Sequence, residues 1–227
     1  MVEMVLGGKI NKEIVSLINR HGGNAVGITG KDGDLIMAKR HKKGKKQSAE
    51  TNRPEIIDLG LVGEITQVNP RILKTLDKNE FVPVIAPIGK GRDGATLNIN
   101  ADFVASKIAS ALKAEKLILM TDTEGVKNKT GKLQSGLTKK EVAAMIKEKV
   151  IKDGMLPKVQ CCLDALKAGV HKTHIFDGRV QHALLLEIFT EDRIATQIVE
   201  NKLDLTASST PKIRRRHTSE LQSQCEL

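Results

Sequence analysis

Asn98, Asp102 and Lys158 are the residues of this chain whose types and spacing best suggest chemistry. They lie in two ordered segments, Asn98-Ile99-Asn100-Ala101-Asp102 and Asp153-Gly154-Met155-Leu156-Pro157-Lys158. An amide, a carboxylate and a lysine form a set suited to phosphoryl transfer, and the amide has a clear use if the substrate is itself a carboxylate. The amide of Asn98 can hydrogen-bond such a substrate without adding negative charge that would repel it. The ammonium of Lys158 answers the charge that builds on the equatorial oxygens of a phosphoryl group in flight, and Asp102 would hold that lysine in place. Taken singly, an Asn or Asp at a helix start is more often an N-cap than a catalyst; the ordered pair of segments is the more specific signal.

These residues need a scaffold, and the apolar runs supply one. Strands are expected at Ala25 to Ile28, Leu35 to Ala38, Val82 to Ala86, Leu117 to Met120, His174 to Phe176 and Thr196 to Val199. Helical periodicity runs over Arg71 to Lys78, Asp102 to Lys113, Lys139 to Lys147, Pro157 to Ala168 and Gln181 to Phe189, and Met1 to Asn19 reads as a helix with no cap before it. The alternation predicts an α/β fold with a largely parallel sheet and helices on both faces. Glu55 to Val68, interrupted by Gly60 and Gly63, is expected to form a β-hairpin. Ligands of open parallel sheets bind beyond the carboxyl ends of the strands, where the loop Thr121-Asp122-Thr123-Glu124-Gly125-Val126-Lys127 would sit. An ordinary turn, with Gly125 at φ > 0, is the simpler reading of that loop by itself. Pro157 suits the first turn of the helix that carries Lys158, and Gly154 would permit close approach.

Composition fits a globular chain: 227 residues, 40% hydrophobic and 28% charged. Leu117 to Met120 and Ala183 to Leu186 fall far short of the roughly 20 apolar residues of a membrane span, so no membrane partner is expected. The three cysteines, Cys161, Cys162 and Cys225, form neither a disulfide framework nor a metal spacing, which points to a reducing, cytoplasmic setting. The net charge of +10 and the run Lys39-Arg40-His41-Lys42-Lys43-Gly44-Lys45-Lys46 invite a nucleic-acid partner. The absence of Trp and Tyr, with only four Phe, argues against one, because single-stranded bases would have no platform to stack on. His171-Lys172-Thr173-His174 has metal-like spacing without acidic or cysteine partners nearby, and no metal is assigned to it. Residues 201–227 are polar, carry Arg214-Arg215-Arg216, and read as a disordered tail after a domain spanning 1–200.

With these residues in view the chain resembles the acetylglutamate kinases of the amino acid kinase superfamily. The resemblance runs through Val2 to Leu6 with Asn11-Lys12, Ala25 to Gly33, Asp58 to Gly63, Asn98 to Asp102, Leu117 to Gly125, Gly154 to Val159, Gly169-Val170, His174-Ile175 and His182 to Phe189, ending near Val199. It implies a three-layer αβα sandwich with a largely parallel central sheet, here N-terminally incomplete. It implies ATP-dependent phosphorylation of the side-chain carboxylate of N-acetyl-L-glutamate in arginine biosynthesis, with Mg²⁺ screening the two anions. Asn98 would hold the substrate's α-carboxylate, Lys158 the transferring phosphoryl group, and Asp102 would organise Lys158. Asp122, Thr123, Glu124, Gly125, Val126 and Lys127, with Val150, Ile151 and Lys152, would line the nucleotide site. His182, Glu187 and Glu191, with Thr196, echo the pattern of arginine-inhibited members, although Arg193 and Ala195 stand where glycines are usual. Gly8, Lys90 and Arg92 also depart from the family pattern. The family further implies a homo-oligomer, dimer or hexamer, and a PII-type signalling protein as a possible partner. Its glycine-rich phosphate loops, their lysine and a substrate arginine would precede Met1, so the chain by itself is expected to catalyse poorly. A non-catalytic assembly or regulatory role stands as the alternative, as does a sister branch such as carbamate, aspartate or uridylate kinase.

Overall fold

The computed structural model describes residues 1–41, 44–47, 54–57, 61–189 and 195–206. A π-helical stretch, Met4–Ile10, leads into α1 (Asn11–Arg20), followed by β1 (Ala25–Thr29), β2 (Ile36–Arg40), β3 (Gly44–Gln47), β4 (Pro54–Ile57) and β5 (Gly63–Val68). Next come α2 (Arg71–Lys78), β6 (Val82–Ala86), β7 (Ile88–Lys90), β8 (Thr96–Asn98), α3 (Ala101–Leu112) and β9 (Lys116–Thr121). The chain continues with β10 (Gly136–Thr138), α4 (Lys139–Lys147), α5 (Met155–Lys167), β11 (Lys172–Asp177), α6 (Ala183–Phe189), β12 (Thr196–Val199) and α7 (Leu203–Thr206). Among the described residues no helix is long and apolar enough to cross a membrane.

The result is an α/β fold whose strands pair in both parallel and antiparallel ladders, where a largely parallel sheet was expected. β1 pairs with β6, β9 with β11 and β10 with β12 in parallel, while β11 and β12 run antiparallel. A second four-stranded sheet has the order β5-β2-β7-β8. β11 is buried at every residue, as a strand covered on both faces must be. Two apolar cores result. One gathers Leu35, Ile36, Leu73, Leu97, Ile99 and Val104; the other gathers Val126, Val142, Val159, Cys162, Ile175 and Ile198. α3 joins them, since its Val104 packs into the first and its Ala109, further along, into the second. The start of α3 therefore lies on the first core while its body braces the second.

The expected hairpin over Glu55 to Val68 is not formed by that segment. β4 pairs with β3, and β5 pairs back with β2, so the four strands are nested parts of one long antiparallel excursion. Gly63 is a site of close approach to β8 rather than a local turn, because a Cβ there would lie 2.8 Å from Leu97 Cβ. Asp58, Leu59 and Gly60 lie outside the described residues, as do Lys42 and Lys43 of the basic run and residues 207–227 of the expected tail. The N-terminal helix is present, but its Ile14 and Leu17 face outward, with Leu17 more than half exposed. α1 is tied down instead by Asn11, whose Nδ2 donates to Val84 O at 2.9 Å and Ile28 O at 3.4 Å and so clamps β1 to β6.

Candidate active site

The strand β8 ends in Asn98 and runs almost directly into α3. Asn98 N–H donates to Leu61 O at 2.7 Å, Ile99 is buried, and Asn100 caps the helix by accepting from the Asp102 N–H at 2.8 Å. The capping duty falls to Asn100, which leaves Asp102 free in the first helical turn, where a carboxylate is favoured by the helix dipole. Asp102 Oδ2 accepts from Lys158 Nζ at 2.7 Å, each side chain about one fifth exposed. A second rung, Ser106 Oγ donating to Cys161 O at 2.8 Å, fixes the register of α3 against α5. Lys158 itself stands in the first turns of α5, where the helix dipole disfavours a cation. Asp102 compensates for that placement, and the lysine and the helix N-terminus together concentrate positive potential at one place. The carboxamide of Asn98 makes no hydrogen bond among the described residues and is available to a ligand.

The second part of the site is a pocket of about 470 Å³ at the carboxyl ends of β9 and β11. It is lined by residues 122–127 and 150–152 together with Met155, Asp177 and Arg179. All nine residues expected from the sequence, Asp122, Thr123, Glu124, Gly125, Val126, Lys127, Val150, Ile151 and Lys152, are thus brought into one cavity. The loop 122–127 is anchored from below: Thr196 Oγ1, fully buried on β12, accepts from Val126 N–H at 2.8 Å. Gly125 has φ +142°, and a Cβ there would lie 2.5 Å from the same Thr196 oxygen, so glycine is required on both counts. The other wall turns into α5 through Asp153 at φ 49°, a left-handed position that Asp tolerates. Gly154 has open space around it, which leaves the helix start accessible.

The side chains that the sequence did not single out here are Met155, Asp177 and Arg179. Arg179 Nε donates to Asp177 Oδ1 at 2.9 Å and Nη2 to Oδ2 at 2.7 Å. The Arg179 guanidinium beside it holds the Asp177 carboxyl at about 2. Asp177 ends β11 and is followed by Gly178-Arg179; an acidic residue at a strand end followed by a turn was the available signal. Cys161 and Cys162 are not nucleophiles here, since burial pushes their thiols up to about 11 and about 12.

Of the expected effector residues, His182 and Glu187 are described and differ in their surroundings. His182 is exposed and at φ 58°, whereas the side chain of Glu187 is buried and bonded to His174, with Glu187 Oε1 2.7 Å from His174 Nδ1. Glu187 is therefore not on the outer face of its helix; α6 turns it inward to meet β11. Glu191 and Arg193 lie outside the described residues. Lys90, a departure from the family pattern, is engaged locally by Asp34 at 2.7 Å.

Known proteins resemble this chain in sequence and in fold. The model of the amino acid kinase family matches residues 1–177. The chain is 56% identical over 199 residues to the acetylglutamate kinase of Nitrosococcus oceani, covering 87% of this chain and 66% of that protein. It is 58% identical over 199 residues to that of Syntrophobacter fumaroxidans, covering 88% and 66%. The chain thus spans about two thirds of the length of the curated relatives it matches. Among solved structures, smu.665 from Streptococcus mutans superposes with a TM-score of 0.65 at 27% identity, covering 88% of this chain and 70% of that one. Carbamate kinase from Giardia lamblia shares the fold, with a TM-score of 0.59 at 14% identity over 88% of this chain and 73% of that one. By the extent of the family match and by the fold, the chain belongs to the amino acid kinase family.

Proposed function

We propose that this chain carries the phosphoryl-transfer site of an enzyme that phosphorylates N-acetyl-L-glutamate on its side-chain carboxylate, with ATP as donor, in the arginine biosynthesis of the cytoplasm. The observation that carries the substrate assignment is the identity of 56–58% to acetylglutamate kinases over nearly nine tenths of the chain. The chemistry of the site supports it. A carboxylate of pKa about 4.3 is already ionised at neutral pH, so no general base is needed. The protein's work is to align two anions and answer their charge. Asn98, with its carboxamide unengaged, binds the substrate's α-carboxylate. Lys158, held by Asp102, meets the equatorial oxygens of the phosphoryl group beside the N-terminus of α5. The pocket of residues 122–127 and 150–152 takes the nucleotide, and about 470 Å³ lies within the usual range for a ligand of that size. Mg²⁺, when bound, supplies charge screening between the two substrates. Among the described residues no three His, Cys, Asp or Glu side chains gather as a metal cage, so the ion would be held chiefly by the nucleotide's phosphates and water. Homo-oligomeric assembly belongs to the same reading and is supported by the exposed apolar side chains of Ile10, Ile14 and Leu17 at helical spacing.

The test is ADP release from Mg-ATP by the purified protein. Slow release that depends on N-acetyl-L-glutamate and is abolished by Lys158→Ala is expected. Release indifferent to N-acetyl-L-glutamate, or surviving Lys158→Ala, would overturn the assignment.

A further inference from the structure

The nucleotide pocket has apolar walls, Val126, Val150, Ile151 and Met155, but no aromatic side chain lines it. The whole chain has no Trp or Tyr. A purine base buried there would find no ring to stack on, and the planar group that the pocket does offer is the guanidinium of Arg179. Its orientation is fixed. Asp177 takes up one edge through Nε and Nη2, and its Oδ1 also accepts from the Arg179 N–H at 2.9 Å. What remains presented is the other edge and the two faces of the plane, on a side chain 69% exposed. The clamp is as firm as its base. Asp177 is buried at the end of β11, and the next residue, Gly178, donates its N–H to Thr121 O at 2.9 Å, at the start of the nucleotide loop.

Charge decides which part of a nucleotide suits this group. Arg179 is already neutralised by Asp177 and lies within electrostatic reach of Asp122, so a phosphate would meet two carboxylates beside one cation. Lys152 lines the same pocket without an ion pair among the described residues and suits phosphate better. A delocalised, weakly hydrated guanidinium whose charge is met from one edge retains its capacity to stack on a π-face.

We propose that Arg179, held edge-on by Asp177, stacks on the purine base of the bound nucleotide and gives the pocket its preference for a nucleotide over bare polyphosphate. This rests on the nucleotide reading of the pocket given above. Arg179 is the binding residue and Asp177 positions it.

Calorimetric titration of the full chain with Mg-ADP and with Mg-triphosphate tests this, using wild type, Arg179→Ala, Arg179→Lys and Asp177→Asn, with thermal melts to establish folding. Arg179→Ala is expected to weaken ADP about three- to thirtyfold, the range of a cation–π contact, while changing triphosphate less than about twofold. Arg179→Lys should not restore ADP affinity, because an ammonium is not a planar stacking partner, and Asp177→Asn should fall between wild type and Arg179→Ala. Equal losses for both ligands would make Arg179 a phosphate contact, and unchanged ADP affinity would remove it from the site; either result overturns the proposal. A wild type that binds triphosphate but gains nothing from the base also overturns it while leaving a phosphate site in place. Binding of neither ligand would remove the nucleotide reading and this inference together.

Discussion

Replacing Asp102 by Asn should destabilise the protein more than replacing Lys158 by Met, although the two side chains belong to one ion pair. At 2.7 Å and an effective dielectric of about 20, the attraction between Lys158 and Asp102 is about 6 kcal/mol before desolvation. Partial burial of both ends cancels most of it. With each side chain about one fifth exposed, the pair lies between surface pairs worth up to about 1 kcal/mol and buried pairs whose disruption costs about 3–5 kcal/mol, so about 2 kcal/mol is expected. The helix ends then separate the two variants. Asp102→Asn strands a cation in the N-terminal turns of α5, against its dipole, for a total of about 2–3 kcal/mol. Lys158→Met leaves Asp102 in the first turn of α3, where the dipole favours it, and should cost about 1 kcal/mol. Urea denaturation of both single variants and of the double variant measures these values and their coupling. On the proposed reaction, Lys158→Met should lower turnover ~10²- to 10³-fold, and Asp102→Asn less. The double variant should be no slower than Lys158→Met alone, because Asp102 acts through the lysine. A larger loss of stability from Lys158→Met than from Asp102→Asn would refute the dipole argument. Multiplicative loss of turnover in the double variant would refute the view that Asp102 serves only to hold Lys158.

Other expectations follow from the same geometry. Gly125→Ala forces a side chain into φ +142° against Thr196 Oγ1; a loss of about 2 kcal/mol in urea denaturation, with weakened ADP binding by calorimetry, is expected, and wild-type behaviour in both would show that the loop is not held as described. Glu187→Ala leaves the buried His174 ring without its hydrogen-bond partner, and a loss of about 1–3 kcal/mol should appear in the same measurement, compared with a few tenths for the exposed His182→Ala. The Asp177 carboxyl titrates at about 2 in the folded chain, below its ordinary value of 3.8, so its contribution to stability is present in full above about pH 4 and is lost as pH falls towards 2. Thermal melts across that range should have a shallower acid limb for Asp177→Asn than for wild type; superimposable limbs would mean that the clamp with Arg179 does not form in solution.

Much of the scaffold was legible because it depends on local periodicity. Arg71–Lys78, Lys139–Lys147, Val82–Ala86 and Thr196–Val199 fall where the apolar pattern put them. The short strands Ile88–Lys90, Thr96–Asn98 and Gly136–Thr138 were missed, since three residues are too few to show a period of two. The turn between the first two, which contains Gly94 at φ +80°, was a usable sign of them.

For the site, the sequence by itself determined the residue types and the loops they occupy: an amide and a carboxylate at the end of a strand and the start of a helix, a lysine in the first turns of another, and a glycine-bearing loop after a strand. These follow from capping, chirality and strand-to-helix order, which act over a few residues. Only the tertiary structure decided which of these residues meet. The 2.7 Å contact between Lys158 and Asp102 depends on the register of α3 against α5, set by the Ser106–Cys161 rung. The pairing of β5 with β2 rather than β4, the inward turn of Glu187 towards His174, and the convergence of Arg179 with the loop 122–127 are likewise long-range facts. Each depends on burial and close packing between segments distant in the chain, and no local pattern encodes which distant surface an element will be pressed against.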